Sequence, residues 1–236
     1  MSTVFIVSAP SGSGKSTLVN ELFKMVHGLE FSISYTTRTL RGSEKNGKEY
    51  YFVSDAEFEA MIEADEFLEY ARVFGRQGNY YGTARRFLRE AEERGHDLLL
   101  DIDVQGAAQV KKKLPQSVSI FILPPGREQL EWRLRNRALD SDEVIRRRLD
   151  TARREIEQYS RYDYILINNV LEQSADELKA VVLAERLAET IRNRGVQPTP
   201  EEIRILEIAE ASRLERARER VQPILASFGT VPIEMK

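Results

Sequence analysis

The chain has 236 residues, enough for one α/β domain of ordinary size with a small insertion or two. Apolar residues make up 42% and charged residues 31%, and the net charge is only -3, so no global basic field marks a nucleic-acid binder. The lack of cysteine excludes disulfides, thiolate nucleophiles and cysteine-ligated metal sites, and the two histidines, His27 and His96, stand far apart with no ligand spacing.

Residues 4–7 form a short β-branched run, read as a buried strand that ends in a Gly/Ser/Pro loop. Gly12 and Lys15 follow it too soon for a signal peptide, and no apolar run approaches the ~20 residues of a membrane span. The expected setting is therefore cytoplasmic, with no membrane partner. Leu18, Val19, Leu22 and Val26 recur at helical spacing and predict a helix over 15–26.

Residues 31–81 break that rhythm with short alternating segments at 50–53, 67–73 and 79–81 around one helix, 55–64, capped by Ser54. They read as a small, largely antiparallel insertion on one edge of the main sheet. Beyond it, strands at 98–101, 118–123 and 164–167 alternate with helices at 84–94, 104–114, 127–136, 142–159 and 175–193. In the fourth of these, Ile145, Leu149, Ala152 and Ile156 make one apolar stripe. The alternation predicts an α/β fold with a mostly parallel sheet covered by helices on both faces. After a Gly/Pro break at 195–200, Thr199-Pro200-Glu201-Glu202 opens a further helix, expected to run to about Arg220, with Pro223 and the stretch at 229–232 ending it. Whether it packs on the core, joins a second subunit or stays loosely attached is open, and so is a homo-oligomer.

Ala9-Pro10-Ser11-Gly12-Ser13-Gly14-Lys15-Ser16-Thr17 follows the first strand and opens the first helix, the context a phosphate-binding P-loop requires. Gly12 and Gly14 let backbone N–H groups turn inward around a phosphate, and the helix N-terminus adds partial positive charge. Lys15 reaches β- and γ-phosphate oxygens, and the Ser16 hydroxyl can ligate Mg2+. The strict motif has glycine where Ala9 stands; a glycine-rich turn with a chance Lys-Ser is the alternative. The apolar strand at 98–101 ends in Asp101, followed by Asp103. Both lie where a parallel sheet gathers ligands, Asp101 toward magnesium or its waters; Asp103 equally suits a helix cap.

Residues 34–41, Ser34 to Arg41, pack hydroxyls and two guanidiniums, Arg38 and Arg41, into eight positions that can clamp one phosphate from two sides. Glu44, Tyr50, Glu69, Tyr81 and Thr83 follow in the same insertion. A purine bearing a 2-amino group and an N1–H presents adjacent donors that a carboxylate accepts well, whereas adenine has no such donor pair. Taken singly, each of these residues also reads as a solvated surface group.

With these stretches in order, at 8–15, 35–41, 46–52, 67–69, 79–83, 100–106 and 148–156, the chain resembles the guanylate kinase family over about residues 3–193. The resemblance implies a P-loop kinase fold with a GMP-binding insertion at 34–83, a helical lid at 126–159 and a core at 1–33, 84–125 and 160–196, followed by a charged helical extension at 197–236. It implies transfer of the γ-phosphate of ATP, with Mg2+, to GMP and dGMP, in purine nucleotide metabolism. Arg38, Arg41, Tyr50 and Tyr81 would hold the GMP phosphate, with Glu44 in the same site, while Ser34, Glu69, Thr83 and Asp103 would read guanine. Asn168 would lie near adenine, and Arg133, Arg137 and Arg148 would close over ATP as lid arginines, acting with Lys15 and Arg38 in catalysis. Arg135, Arg146, Arg147, Arg153 and Arg154 read as a solvated face. Ala138-Leu139-Asp140 departs from the family's usual Gly-Thr-acidic turn, Asn169 stands where Asp is common, and an extra residue or two around 76–78 lengthens the loop before Tyr80. A non-catalytic relative that binds protein partners usually loses the phosphate loop, and a kinase for a phosphorylated sugar would not need Glu69, Asp103 and Ser34 together.

Overall fold

The computed structural model describes residues 2–72, 78–137, 141–195 and 197–230. Residue 73 of an expected strand, residues 76–77 of the expected loop, residues 138–140 of the expected lid and residue 196 lie outside the described residues.

The elements in chain order are β1 (Val4–Ser8), α1 (Lys15–Met25), β2 (Leu29–Phe31), β3 (Tyr35–Thr36), β4 (Tyr51–Phe52) and α2 (Asp55–Glu63). Next come β5 (Phe67–Arg72), β6 (Tyr80–Ala84), α3 (Arg86–Arg94), β7 (Asp97–Asp101), α4 (Val104–Lys113), β8 (Val118–Leu123) and α5 (Arg127–Arg137). α6 (Asp142–Ile156), β9 (Tyr164–Ile167), α7 (Leu171–Arg194), α8 (Pro200–Ser212) and α9 (Leu214–Ser227) complete the fold. A five-stranded sheet has the order β2-β7-β1-β8-β9, and its β2–β7 and β8–β9 pairs run parallel. Every residue of β1 and β8 is buried, as expected of strands covered on both faces. Three-residue β2 was not visible in the sequence pattern. The chain divides into two compact units, Met1–Ile6 with Gly28–Val118, and Val7–His27 with Ser119–Lys236.

In the first unit a second sheet has the order β4-β3-β6-β5. Its β3–β6 and β6–β5 pairs are antiparallel, but β3 and β4 are parallel, so the insertion is mixed. Phe58 of α2 stacks on Phe67 and Tyr80 with ring centroids 4.4 and 4.8 Å away, and Ser54 caps α2 reciprocally with Glu57. Edge strand β5 is covered by α4. Gln109 exchanges hydrogen bonds of 3.2 and 2.8 Å with the Tyr70 backbone, and Lys113 Nζ donates to the Phe67 carbonyl.

In the second unit α1 lies against α7, and the predicted stripe of α6, Ile145, Leu149, Ala152 and Ile156, is buried. Helix α7 begins four residues before its expected start, where buried Ser174 Oγ donates to the Ile167 carbonyl and ties the first turn to β9. The extension packs on this unit, α8 along α7 and α9 against β9. It forms two helices instead of the single one expected. Thr199 and Glu202 make the expected capping box, but Arg213 turns extended between α8 and α9. Pro223 sits inside α9 and does not end it, because buried Ile224, Leu225 and Phe228 hold the last turn. The stop comes at Gly229, with φ of 67°, the first residue of the other stretch expected to end the helix. Among the described residues no helix is long and apolar enough to cross a membrane.

Candidate active site

The phosphate loop is shaped by the second unit. Gly12 and Gly14 have φ of 92° and 89°, a region that side chains disfavour. A Cβ on Gly14 would stand 2.3 Å from Asn168 Nδ2, and one on Gly12 would stand 2.9 Å from Leu134. Pro10 closes the loop by accepting from Ser13 N–H at 3.1 Å, and Ala9 begins it after the last residue of β1. The Ser13 carbonyl accepts from Asn168 Nδ2 at 2.7 Å and from Arg133 at 3.3 Å, and Arg133 also donates to the Asn168 carbonyl at 2.9 Å. Asn168, almost fully buried, is therefore a brace for the loop. Lys15, Ser16 and Thr17 make the first turn of α1, with Ser16 exposed and Ser11 exposed at the loop tip.

A pocket of about 310 Å³ opens beside this loop, lined by Gly12, Gly14, Thr17, Trp132, Arg133, Asn136, Asn168, Asn169 and Leu171. Sequence reasoning passed over Trp132. Its signal was present all the same, as the only tryptophan of the chain, set on a helix of charged residues. Helix α5 carries Arg133 and helix α6 carries half-buried Arg148. Arg137 is the last residue of α5, and its side chain lies outside the described residues. Arg135 pairs with Glu131 at 2.8 Å and Asp142 at 2.5 Å, and Arg147 with Glu143 at 2.5 Å, the solvated pattern expected of them.

In the first unit Arg38 is only 7% exposed. Its guanidinium makes two 2.8 Å bonds to the Glu44 carboxylate and a third to the Thr39 carbonyl, and lies 5.2 Å from the Tyr50 ring centroid. Tyr50 and Tyr81 meet edge to face at 5.8 Å. The Arg38 bonds, with that of the Arg41 N–H, hold the Glu44 carboxyl down at about 2. Arg41 itself is exposed. The structure thus brings Arg38, Glu44, Tyr50 and Tyr81 into one cluster.

Glu69 on β5 faces Thr83 on β6 across the ladder, and both are buried. Burial pushes the Glu69 carboxyl up to about 7; Thr83 opposes the rise and the Asp103 carboxylate adds to it. Gly106 on α4 makes room for this carboxylate, since a Cβ there would stand 2.6 Å from Glu69 Oε2. Asp103 caps α4, its Oδ1 accepting from the Gln105 and Gly106 N–H groups at 2.9 and 2.8 Å. Half-buried Ser34 accepts from Tyr51 N–H through its carbonyl, and Asp101 ends β7.

The guanylate kinase family model matches residues 1–185. A guanylate kinase of Koribacter versatilis is 58% identical over 229 residues, which cover 96% of this chain and 95% of that protein. One from Vibrio parahaemolyticus is 47% identical over 189 residues, covering 79% and 90%. The crystal structure of guanylate kinase from Anaplasma phagocytophilum superimposes with a TM-score of 0.64 at 33% identity, over 83% of this chain and 97% of that one. With a family model over most of its length and relatives matched nearly end to end, the chain belongs to the guanylate kinase family.

Proposed function

We propose that this chain transfers the γ-phosphoryl group of ATP to GMP, and to dGMP, releasing ADP and GDP or dGDP. The observation that carries the acceptor choice is Glu69, a buried carboxylate seated against Gly106 and Thr83 in the unit that also holds the Arg38 cluster. Guanine offers two adjacent donors to such a carboxylate. Asp103 and Ser34 complete the reading of the base, and Arg38, Arg41, Tyr50 and Tyr81 hold the acceptor phosphate.

On the donor side, Gly12, Gly14 and the first turn of α1 present N–H groups to the ATP phosphates, and Lys15 neutralises the β- and γ-oxygens. Ser16 and Asp101 are hard oxygen donors suited to magnesium, which takes few protein ligands and several from phosphates and water. When bound, magnesium draws charge off the phosphate oxygens. Arg133, Arg137 and Arg148 balance the charge that spreads over the transferring group, and lid closure keeps water from competing with GMP. The chain contributes position and charge, and no side chain needs to become covalently bonded. The reaction belongs in the cytoplasm, where both nucleotides occur.

A coupled assay across AMP, GMP, CMP, UMP and dGMP tests this. The expected result is turnover with GMP and dGMP, with AMP poorer by on the order of 10⁴-fold, since a site built for hydrogen bonds strongly rejects a base that lacks them. Equal efficiency with AMP would overturn the guanine assignment.

A further inference from the structure

We propose that Trp132 is a stacking platform for the adenine ring of ATP, an inference that rests on the kinase reading above. Trp132 is 61% exposed, more than any other large apolar side chain among the described residues. None of the ring stacks or cation–π contacts among the described residues includes it. A lone exposed tryptophan keeps a wide π-face in water, on which a flat ring can stack. This one lines the pocket of about 310 Å³ whose other walls are the two phosphate-loop glycines, Thr17 and the Arg133–Asn168 brace. Polyphosphate held by that loop leaves its base within a nucleoside's reach, and this pocket opens directly beside it. The volume stands at the small end of ligand sites, as a single base needs. Its position in the chain suits the role. Trp132 and Arg133 are neighbours on α5, so the residue that braces the loop also fixes the backbone beside the indole.

Stacking on an aromatic ring holds any base by its face, so Trp132 sets donor affinity without choosing between purines. It has no part in the transfer step, and its removal is expected to change the KM for ATP and to leave kcat alone.

As the only tryptophan, it reports on itself. ATP with magnesium is expected to quench its emission at saturation, while inorganic tripolyphosphate, which fills the phosphate loop without a base, leaves the emission near its starting value. Trp132→Ala is expected to raise the KM for ATP by about 5- to 100-fold, the range for losing one base stack, with kcat and the KM for GMP unchanged. Trp132→Phe is expected to recover most of the loss, which a merely structural role would not predict. An unchanged KM for ATP in Trp132→Ala, or equal quenching by tripolyphosphate, would overturn the platform while the kinase reading stands. A wild-type protein unable to phosphorylate GMP from ATP would remove that reading and this inference with it.

Discussion

Glu44 holds Arg38 by both carboxylate oxygens, Oε1 and Oε2 each lying 2.8 Å from a guanidinium nitrogen. Such a fork-to-fork pair fixes direction as well as charge. Arg38 is thereby aimed before any phosphate arrives, and less side-chain freedom is lost on binding. Glu44→Ala is expected to raise the KM for GMP roughly 10- to 100-fold through lost preorganisation, and steady-state kinetics with GMP varied will show it. Because the Glu44 carboxyl is held at about 2, below its ordinary value, the pair is lost only as pH falls toward 2 and contributes no pH dependence near neutrality.

Glu69 is expected to dominate that dependence. Its carboxyl, pushed up to about 7, accepts guanine's donors only when ionised, so the KM for GMP should fall as pH rises from 6 to 8. Glu69→Gln should give a higher KM that is flat over the same range. Stability moves the other way. With the folded value above the unfolded one, the folded protein keeps a proton that the unfolded chain releases between pH 4.5 and 7, so stability declines across that window. The shift corresponds to on the order of 3 kcal/mol. Melting temperatures of wild type and Glu69→Gln are therefore expected to converge near pH 4 and to separate at pH 8, with the variant higher.

Gly106→Ala separates affinity from stability in another way. The new methyl would stand 2.6 Å from Glu69 Oε2 and must push that carboxylate aside. Alanine also gains about 1 kcal/mol of helix propensity over glycine within α4. The expected variant melts close to wild type, keeps its KM for ATP and loses at least tenfold in KM for GMP. A matching loss toward ATP would show that the change spreads beyond the acceptor side.

Lys15→Ala is expected to abolish phosphoryl transfer with the melting temperature unchanged, because Lys15 lies on the first turn of α1, outside the apolar core. Gly14→Ala is expected to fail differently. It combines a φ of 89° with a clash on Asn168, so both the loop and its brace must shift, and the folded protein itself should become less stable. Thermal melts of the two variants side by side will separate these causes.

The phosphate loop was legible in the sequence because its parts are contiguous and each spacing has a local cause. The acceptor residues were legible as chemistry, though their partnerships were not. That Glu69 faces Thr83 depends on a β5–β6 register shifted between Phe67 and Glu69, and that Glu44 holds Arg38 depends on the path of a loop. For Asp103 the sequence posed two readings, site residue or helix cap, and the structure shows the capping bonds. The extension departs from its reading in two respects: one expected helix is split at Arg213, and Pro223 suggested a stop, but the burial of Ile224, Leu225 and Phe228 around it carried the helix on. Packing overrode a local signal there, as tertiary contacts commonly do.

The same extension has a consequence for association between chains. β9 is the last strand of its sheet, and the chain segment joining α8 to α9 lies along it, with Tyr164 and Arg213 in an antiparallel bridge and Leu214 N–H donating to the Asp163 carbonyl at 3.0 Å. Arg213 also sits over the Tyr164 ring at 4.7 Å and reaches Glu185 at 3.2 Å, so this cover is anchored by a side chain as well as by the backbone. An uncovered terminal strand is a template on which another chain's strand can add. Removing residues 197–236 is thus expected to let β9 add strands of other chains, detectable as light scattering that rises with concentration more steeply than for the full chain. In this chain residues 213 and 214 thus cover the open margin of the sheet.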